Sequence, residues 1–82
     1  MEKRTVYILR SVSQPDRHYT GLTSDLAMRL RWHNAGQNTH TADDRPWAVV
    51  VAIEFSCEAA ARQFEQYLKS GSGRAFAKRH FP

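Results

Sequence analysis

The stretch from Tyr19 to His33, YTGLTSDLAMRLRWH, constrains this chain more than any other. It places a strand end, a glycine, a helix start and two cationic side chains in immediate succession. Tyr19-Thr20-Gly21 reads as the close of a strand, and Thr23, Ser24 and Asp25 form a helix-capping cluster. The helix is expected from about Asp25 to Ala35, with Asn34 and Gly36 as stop signals and Leu26, Leu30 and His33 as its inward stripe. Arg29 and His33, four residues apart, lie on one side of that helix, an arrangement suited to facing a phosphate. Arg29 flanks the stripe, so it either leans along the sheet towards the strand tyrosines or forms a salt bridge to Asp25 or another acid. Trp32 either stacks on a base or covers the helix edge.

The neighbouring segments supply a sheet. Thr5 to Ser11 is β-branched and aromatic, a strand with Val6 and Ile8 on one face and Tyr7 and Leu9 on the other. A turn through Pro15 leads to a second strand, His18 to Leu22, so the two form an antiparallel hairpin with Tyr7 and Tyr19 on adjacent strands. Gly21 permits a close backbone approach or simply a turn. Gln37 to Pro46 is a polar connection whose Asn38, Thr39, His40 and Thr41 are either solvated or track a phosphate backbone. Trp47 to Phe55 is almost continuously apolar, which predicts a strand covered on both faces and hence the middle or best-protected strand.

Ser56 is expected to cap a helix from Cys57 to Lys69 with Ala60, Phe64, Tyr67 and Leu68 as its buried stripe. Glu65 sits at the edge of that stripe, where it either holds a metal ion or pairs with Lys69. Gly71 and Gly73 are expected to end the helix. A short basic segment, Arg74 to His80, follows, anchored by Phe76 and Phe81. Lys69, Arg74, Lys78 and Arg79 then make a phosphate-contacting patch.

The 82 residues suffice for one domain, residues 1–82, whose active site would be an open cleft. A net charge of +4 and a pI near 9.7 favour a polyanionic partner. The single Cys57 excludes an internal disulfide, and no Cys/His zinc pattern occurs, which suits a reducing cytosol. The apolar run after the charged N-terminus, Val6 to Leu9, is too short for a signal peptide. The longest run, Ala48 to Ile53, falls far below the ~20 residues of a membrane span. A cytoplasmic protein without membrane contact is the expectation, and its oligomeric state stays open.

Taken together, Val6-Tyr7-Ile8, Tyr19-Thr20-Gly21, Asp25-Leu26, Arg29-Leu30, His33-Asn34 and Glu65 with Leu68-Lys69 resemble the GIY-YIG nuclease domain over nearly the whole chain. EQYLKSGSGRAF is similar to the C-terminal portion of small stand-alone bacterial GIY-YIG proteins, and RPWAVV to their third strand. The resemblance implies an α+β fold, a three-stranded antiparallel sheet flanked by helices, and Mg²⁺- or Mn²⁺-dependent hydrolysis of DNA phosphodiester bonds. It implies Tyr7, Tyr19, Arg29 and His33 as catalytic residues and Glu65 as the metal ligand. The DNA-binding set is then Gly21, His40, Lys69, Arg74, Lys78 and Arg79. In the implied mechanism water attacks in line, Arg29 clamps nonbridging oxygens, and Tyr7 orients or deprotonates the water. That last role requires the Tyr7 pKa to fall from its ordinary ~10. Which of Tyr7, Tyr19 and His33 accepts the proton is open.

The chain departs from the family pattern in having Thr5-Val6-Tyr7 for Gly-Ile-Tyr and Thr20 for the middle isoleucine of the second half. The asparagine that many members carry after the glutamate has Ser70, Ser72 and His80 as its candidate replacements. The substrate reading is DNA, branched or single-stranded, with a role in repair. A nucleic-acid-binding module that cleaves weakly or not at all is the alternative.

Overall fold

The computed structural model describes residues 3–82. Four consecutive residues, Val6 to Leu9, are buried on a strand β1, Arg4–Ser11. Alternate side chains on a strand point to opposite faces, so burying four in a row needs cover on both. β1 has it because it is the central strand. It pairs antiparallel with β2, His18–Thr23, on one edge and with β3, Trp47–Phe55, on the other, in the order β2-β1-β3. Between β2 and β3 run a helix α1, Leu26–Asn34, and a 3-10 turn at Ala42–Asp44. After β3 come α2, Glu58–Leu68, and α3, Gly71–His80. The expected α+β architecture, a three-stranded antiparallel sheet with helices, is the one found.

The two faces of β1 nucleate two cores. Val6 and Ile8 pack with Ala61 and Leu68 of α2, joined by Phe55, Phe64, Phe76 and Phe81. Tyr7 and Leu9 pack on the other side with Trp47, joined by Tyr19, Leu26 and Leu30. The helices α2 and α3 therefore cover one face and α1 the other.

The placement of β3 differs from the expectation of a middle strand. It lies at an edge, with Ala48, Val49, Ala52 and Glu54 exposed and only Trp47 buried. A run of apolar residues cannot distinguish a central strand from an edge strand of small side chains; the pairing partners decide that. The β1–β3 register also slips between Ile8 and Leu9. Ile8 faces Val51 while Leu9 faces Val49, so Val50 is the extra residue of a bulge. The slip moves Trp47 and Val49 to the side of Leu9 and brings the Trp47 indole into the second core.

Local signals set the helix ends. Asp25 caps α1 by accepting from the Met28 N–H at 3.0 Å, and its own N–H donates to the Thr23 hydroxyl at 3.1 Å. Gly36, at φ +80°, closes the helix in the left-handed region, where the Gln37 N–H reaches the Trp32 carbonyl. Three expected details of the last two helices are corrected. Cys57 occupies the N-cap of α2 instead of Ser56, without a side-chain hydrogen bond. The buried positions of α2 are Ala61 and Leu68 with Phe64 half-buried, whereas Tyr67 is 40% exposed. Gly71 and Gly73 begin α3 instead of ending α2, because Ser70 caps α3 by accepting from the Gly73 N–H at 3.1 Å. Among the described residues no helix is long and apolar enough to cross a membrane.

Leu9 is fully buried in the second core, so Leu9→Ala is expected to cost about 2–5 kcal/mol in denaturant unfolding. Ala52→Ser, on the exposed part of β3, is expected to stay within about 0.5 kcal/mol of wild type in the same measurement.

Candidate active site

Tyr7 is a polar residue at the centre of the sheet, and it is only 1% exposed. Its ring fits because Gly21 is its direct partner on β2; a Cβ at that position would collide with the Tyr7 ring and hydroxyl. Gly21 is thus the residue that admits Tyr7. It was expected among the DNA contacts, but it is buried beneath that ring, and its part is to make room. Tyr19 lies two residues back along β2, opposite Leu9, with its ring 6.3 Å from that of Tyr7.

His33 reaches the same place from α1. It is fully buried, and its ring centre lies 4.7 Å from Tyr19 and 6.0 Å from Tyr7. Its Nε2 is 3.0 Å from the Tyr7 hydroxyl, and its Nδ1 is 2.9 Å from Thr41 Oγ1. The Thr41 hydroxyl donates in turn to the Asn38 carbonyl at 3.4 Å. With its proton so engaged, Thr41 accepts from His33 Nδ1–H, which leaves Nε2 bare to accept the Tyr7 O–H. The loop carrying Thr41 is itself pinned. The Trp47 indole N–H donates to the Thr41 carbonyl at 2.8 Å. The Asn34 side chain spans the Trp47 backbone, accepting from its N–H at 2.6 Å and donating to its carbonyl at 3.2 Å.

The charges around this pair act in opposite senses. Burial pushes the Tyr7 pKa well above its ordinary range; Tyr19 and Glu65 add to the rise, and Arg29 opposes it. The expected fall is therefore not what the protein's own groups produce. Burial, with Arg29 second, lowers the His33 pKa and keeps the imidazole neutral. Both effects hold the proton on Tyr7 at rest.

Arg29 has no salt bridge among the described residues, and the Asp25 carboxylate is spent on the helix cap. Its guanidinium lies over the Trp32 ring at 4.8 Å, and Trp32 in turn meets His33 edge-on at 5.0 Å. Trp32 thus supports the arginine instead of merely covering the helix edge.

Glu65 comes from α2 on the far side of β2. Its side chain is 13% exposed and bound to Lys69 at 2.6 Å, while its charge is felt by Tyr7. The pairing with Lys69 is thus the arrangement found, and the same carboxylate acts on Tyr7. Among the described residues no cluster of three or more His, Cys, Asp or Glu side chains could hold a metal. The protein offers a single carboxylate, already attracting a cation. That donor fits a hard ion such as Mg²⁺, which keeps several waters and takes phosphate oxygens as further ligands.

The remaining expected residues separate. Lys69, Arg74 and Lys78 line one groove with Tyr19. Arg79 is exposed on α3 outside that lining, and His40 is exposed on the loop beside buried Thr41. Of the candidate replacements for asparagine, Ser70 is committed to capping α3 and His80 stacks on Phe76 at 4.6 Å, while Ser72 is exposed. Thr41 is a site residue that sequence reasoning did not separate from its loop, because a threonine in a polar connection carries no signal of burial.

Residues 3–79 match the GIY-YIG catalytic domain, and the chain belongs to that family. It is similar to fungal proteins named structure-specific endonuclease subunit SLX1. Identity is 39% over 82 residues with that of Candida dubliniensis, covering 92% of this chain and 27% of the relative. It is 43% over 65 residues with that of Talaromyces marneffei, covering 72% of this chain and 17% of the relative. It is 43% over 63 residues with that of Malassezia globosa, covering 72% and 14%. The chain thus spans about a quarter or less of the length of these relatives, which are fungal, whereas the sequence resemblance pointed to small bacterial proteins.

Two outcomes follow from the buried imidazole. A histidine whose folded pKa is depressed contributes stability that is fully present above its unfolded value of 6.5 and is lost as pH falls below it. The thermal midpoint is therefore expected to decline as pH falls from about 7 to 5, and His33→Gln should remove that part of the decline. Thr41→Val leaves the Nδ1–H without its buried acceptor and is expected to cost about 1–3 kcal/mol in unfolding, while Thr41→Ser restores most of the loss.

Proposed function

We propose that this chain is a metal-dependent DNA endonuclease with a preference for branched substrates. The observation that carries the reading is the Tyr7 hydroxyl, hydrogen-bonded to a neutral His33 and lying within the fields of both Arg29 and Glu65. A purely structural core gains nothing from placing a phenol, an imidazole, a guanidinium and a carboxylate together. The names of the relatives support the same class and suggest a substrate defined by shape.

The chemistry is hydrolysis of a phosphodiester. A water held by the Tyr7 oxygen attacks phosphorus in line with the leaving oxygen. As the new P–O bond forms, the water's proton passes to Tyr7 and the phenol proton passes to His33 Nε2. Concerted transfer avoids a free tyrosinate, which the raised Tyr7 pKa disfavours, and leaves a short-lived imidazolium on His33 that burial and Arg29 destabilise, so its proton returns through Tyr7 to solvent after the bond change. The bond to the leaving oxygen breaks, and that oxygen takes up a proton from solvent water. Arg29, held flat on Trp32, hydrogen-bonds the nonbridging oxygens as charge gathers on them. Tyr19 packs against His33 and orients it. Glu65 would hold a Mg²⁺ or Mn²⁺, which would supply further positive charge at the phosphate. Lys69, paired with Glu65 in the structure, would then be free to contact the substrate.

A non-cleaving nucleic-acid-binding module is the second reading. The Lys69–Glu65 ion pair favours it, because it satisfies the carboxylate without a metal. A nicking assay with Mg²⁺ or Mn²⁺ on single-stranded, duplex and branched DNA separates the two. Branched DNA is expected to be cut, with the rate falling at least ~10²–10³-fold in Arg29→Ala and in Glu65→Ala. Cleavage surviving both substitutions overturns the assignment, and binding without any cleavage by wild type selects the second reading. A role in DNA repair inside the cytoplasm is consistent with such a substrate.

A further inference from the structure

Beside the catalytic centre, on the α2 and α3 side of the sheet, lies an open groove of about 920 Å³. One wall is the end of the β1–β2 hairpin, where Arg10 and His18 are direct cross-strand partners and therefore share a face. The opposite wall carries Lys69, Arg74 and Lys78, and Asp16 is the acid at the rim. Arg10, Arg74 and Lys78 form no ion pair among the described residues, whereas Lys69 is paired with Glu65. The Arg10 guanidinium donates one hydrogen bond to the Pro82 carbonyl at 3.0 Å, which fixes its position. The floor is apolar, with half-buried Ala77 and Phe81 beside the buried core residues Ile8 and Leu68. Tyr19 lines this groove and Lys69 there pairs with Glu65, so the groove borders the candidate site across the β2 edge.

We infer that this groove carries an unpaired nucleic-acid strand running to or from the scissile phosphate, with Arg10 and His18 as its contacts on the sheet side. The inference rests on the endonuclease reading and names the substrate class at that site. Proteins that hold single strands combine a basic wall for the backbone with apolar and aromatic surface for the bases. A closed duplex keeps its bases stacked inside and would leave the apolar floor without a partner. The cationic walls lie on two separate elements, β1–β2 and α3, so a strand between them is contacted from both sides. Arg10 and His18 carry no part of the catalytic chemistry, so their contribution can be read apart from it.

The test is fluorescence anisotropy of the full chain without divalent metal, on a duplex with an unpaired arm and on the same duplex made blunt. Wild type is expected to bind the armed DNA more tightly. Arg10→Gln should weaken binding to armed DNA roughly tenfold, as loss of a charged hydrogen bond does, and leave blunt binding within about twofold. It should also reduce the slope of log K against log salt by about 0.7 for each phosphate that the variant no longer neutralises. His18→Gln and Lys78→Gln, on different elements, are expected to show the same armed-over-blunt pattern, and unchanged thermal midpoints would verify that each variant is folded. Equal losses on both DNAs, or losses on neither, overturn the inference. Because no cutting is required, the two readings fail separately. Arm-dependent binding without nicking sinks the nuclease, and nicking with arm-independent binding sinks the groove.

Discussion

The hydrogen bond between the Tyr7 hydroxyl and His33 Nε2 is the constraint on which the rest of this site depends. A phenol buried in the central strand is costly unless its hydroxyl is satisfied, and the imidazole satisfies it. The imidazole has its own requirement at Nδ1, which Thr41 meets, and Thr41 depends on a loop tied to Trp47 and Asn34. A chain of polar satisfaction thus links β1, α1, the 37–46 loop and the start of β3. None of these elements can shift by much without orphaning a buried group.

The same chain sets the electrostatics. Burial drives the phenol and the imidazole apart in proton affinity, leaving a protonated Tyr7 facing a neutral His33. Arg29 presses on both from one side, and Glu65 reaches Tyr7 from α2. The site therefore assembles where the first helix and the second helix, which cover opposite faces of the sheet, both approach β2. Gly21 is the position that makes this possible, because without a side chain there the Tyr7 ring lies across β2.

The sheet's asymmetry supports that placement. β1 is committed to two cores, while β2 is an edge strand bordered by the candidate site on one face and by a basic groove on the other. The bulge at Val50 has a structural part of a different kind. It turns Trp47 into the core beneath α1, where its indole N–H fixes the loop that holds His33 in one tautomer.

Much of this was legible in the sequence. The alternation in Val6 to Leu9, the Asp25 cap, the Gly36 stop and the family motifs determined the hairpin, the first helix and the identities of the motif side chains. Such signals are local, set by periodicity and backbone preference within a few residues. What the sequence left open depended on contacts between distant segments. The apolar run Trp47 to Phe55 carried no information about which strand is central, because pairing and not composition decides it. Thr41 and Trp32 became part of the site only when the loop and helix closed over Tyr7. The proton affinities of Tyr7 and His33 were fixed by desolvation, which exists only once the core has formed. The sequence by itself thus determined which groups the site contains, and the tertiary structure alone decided their protonation, their partners and the groove beside them.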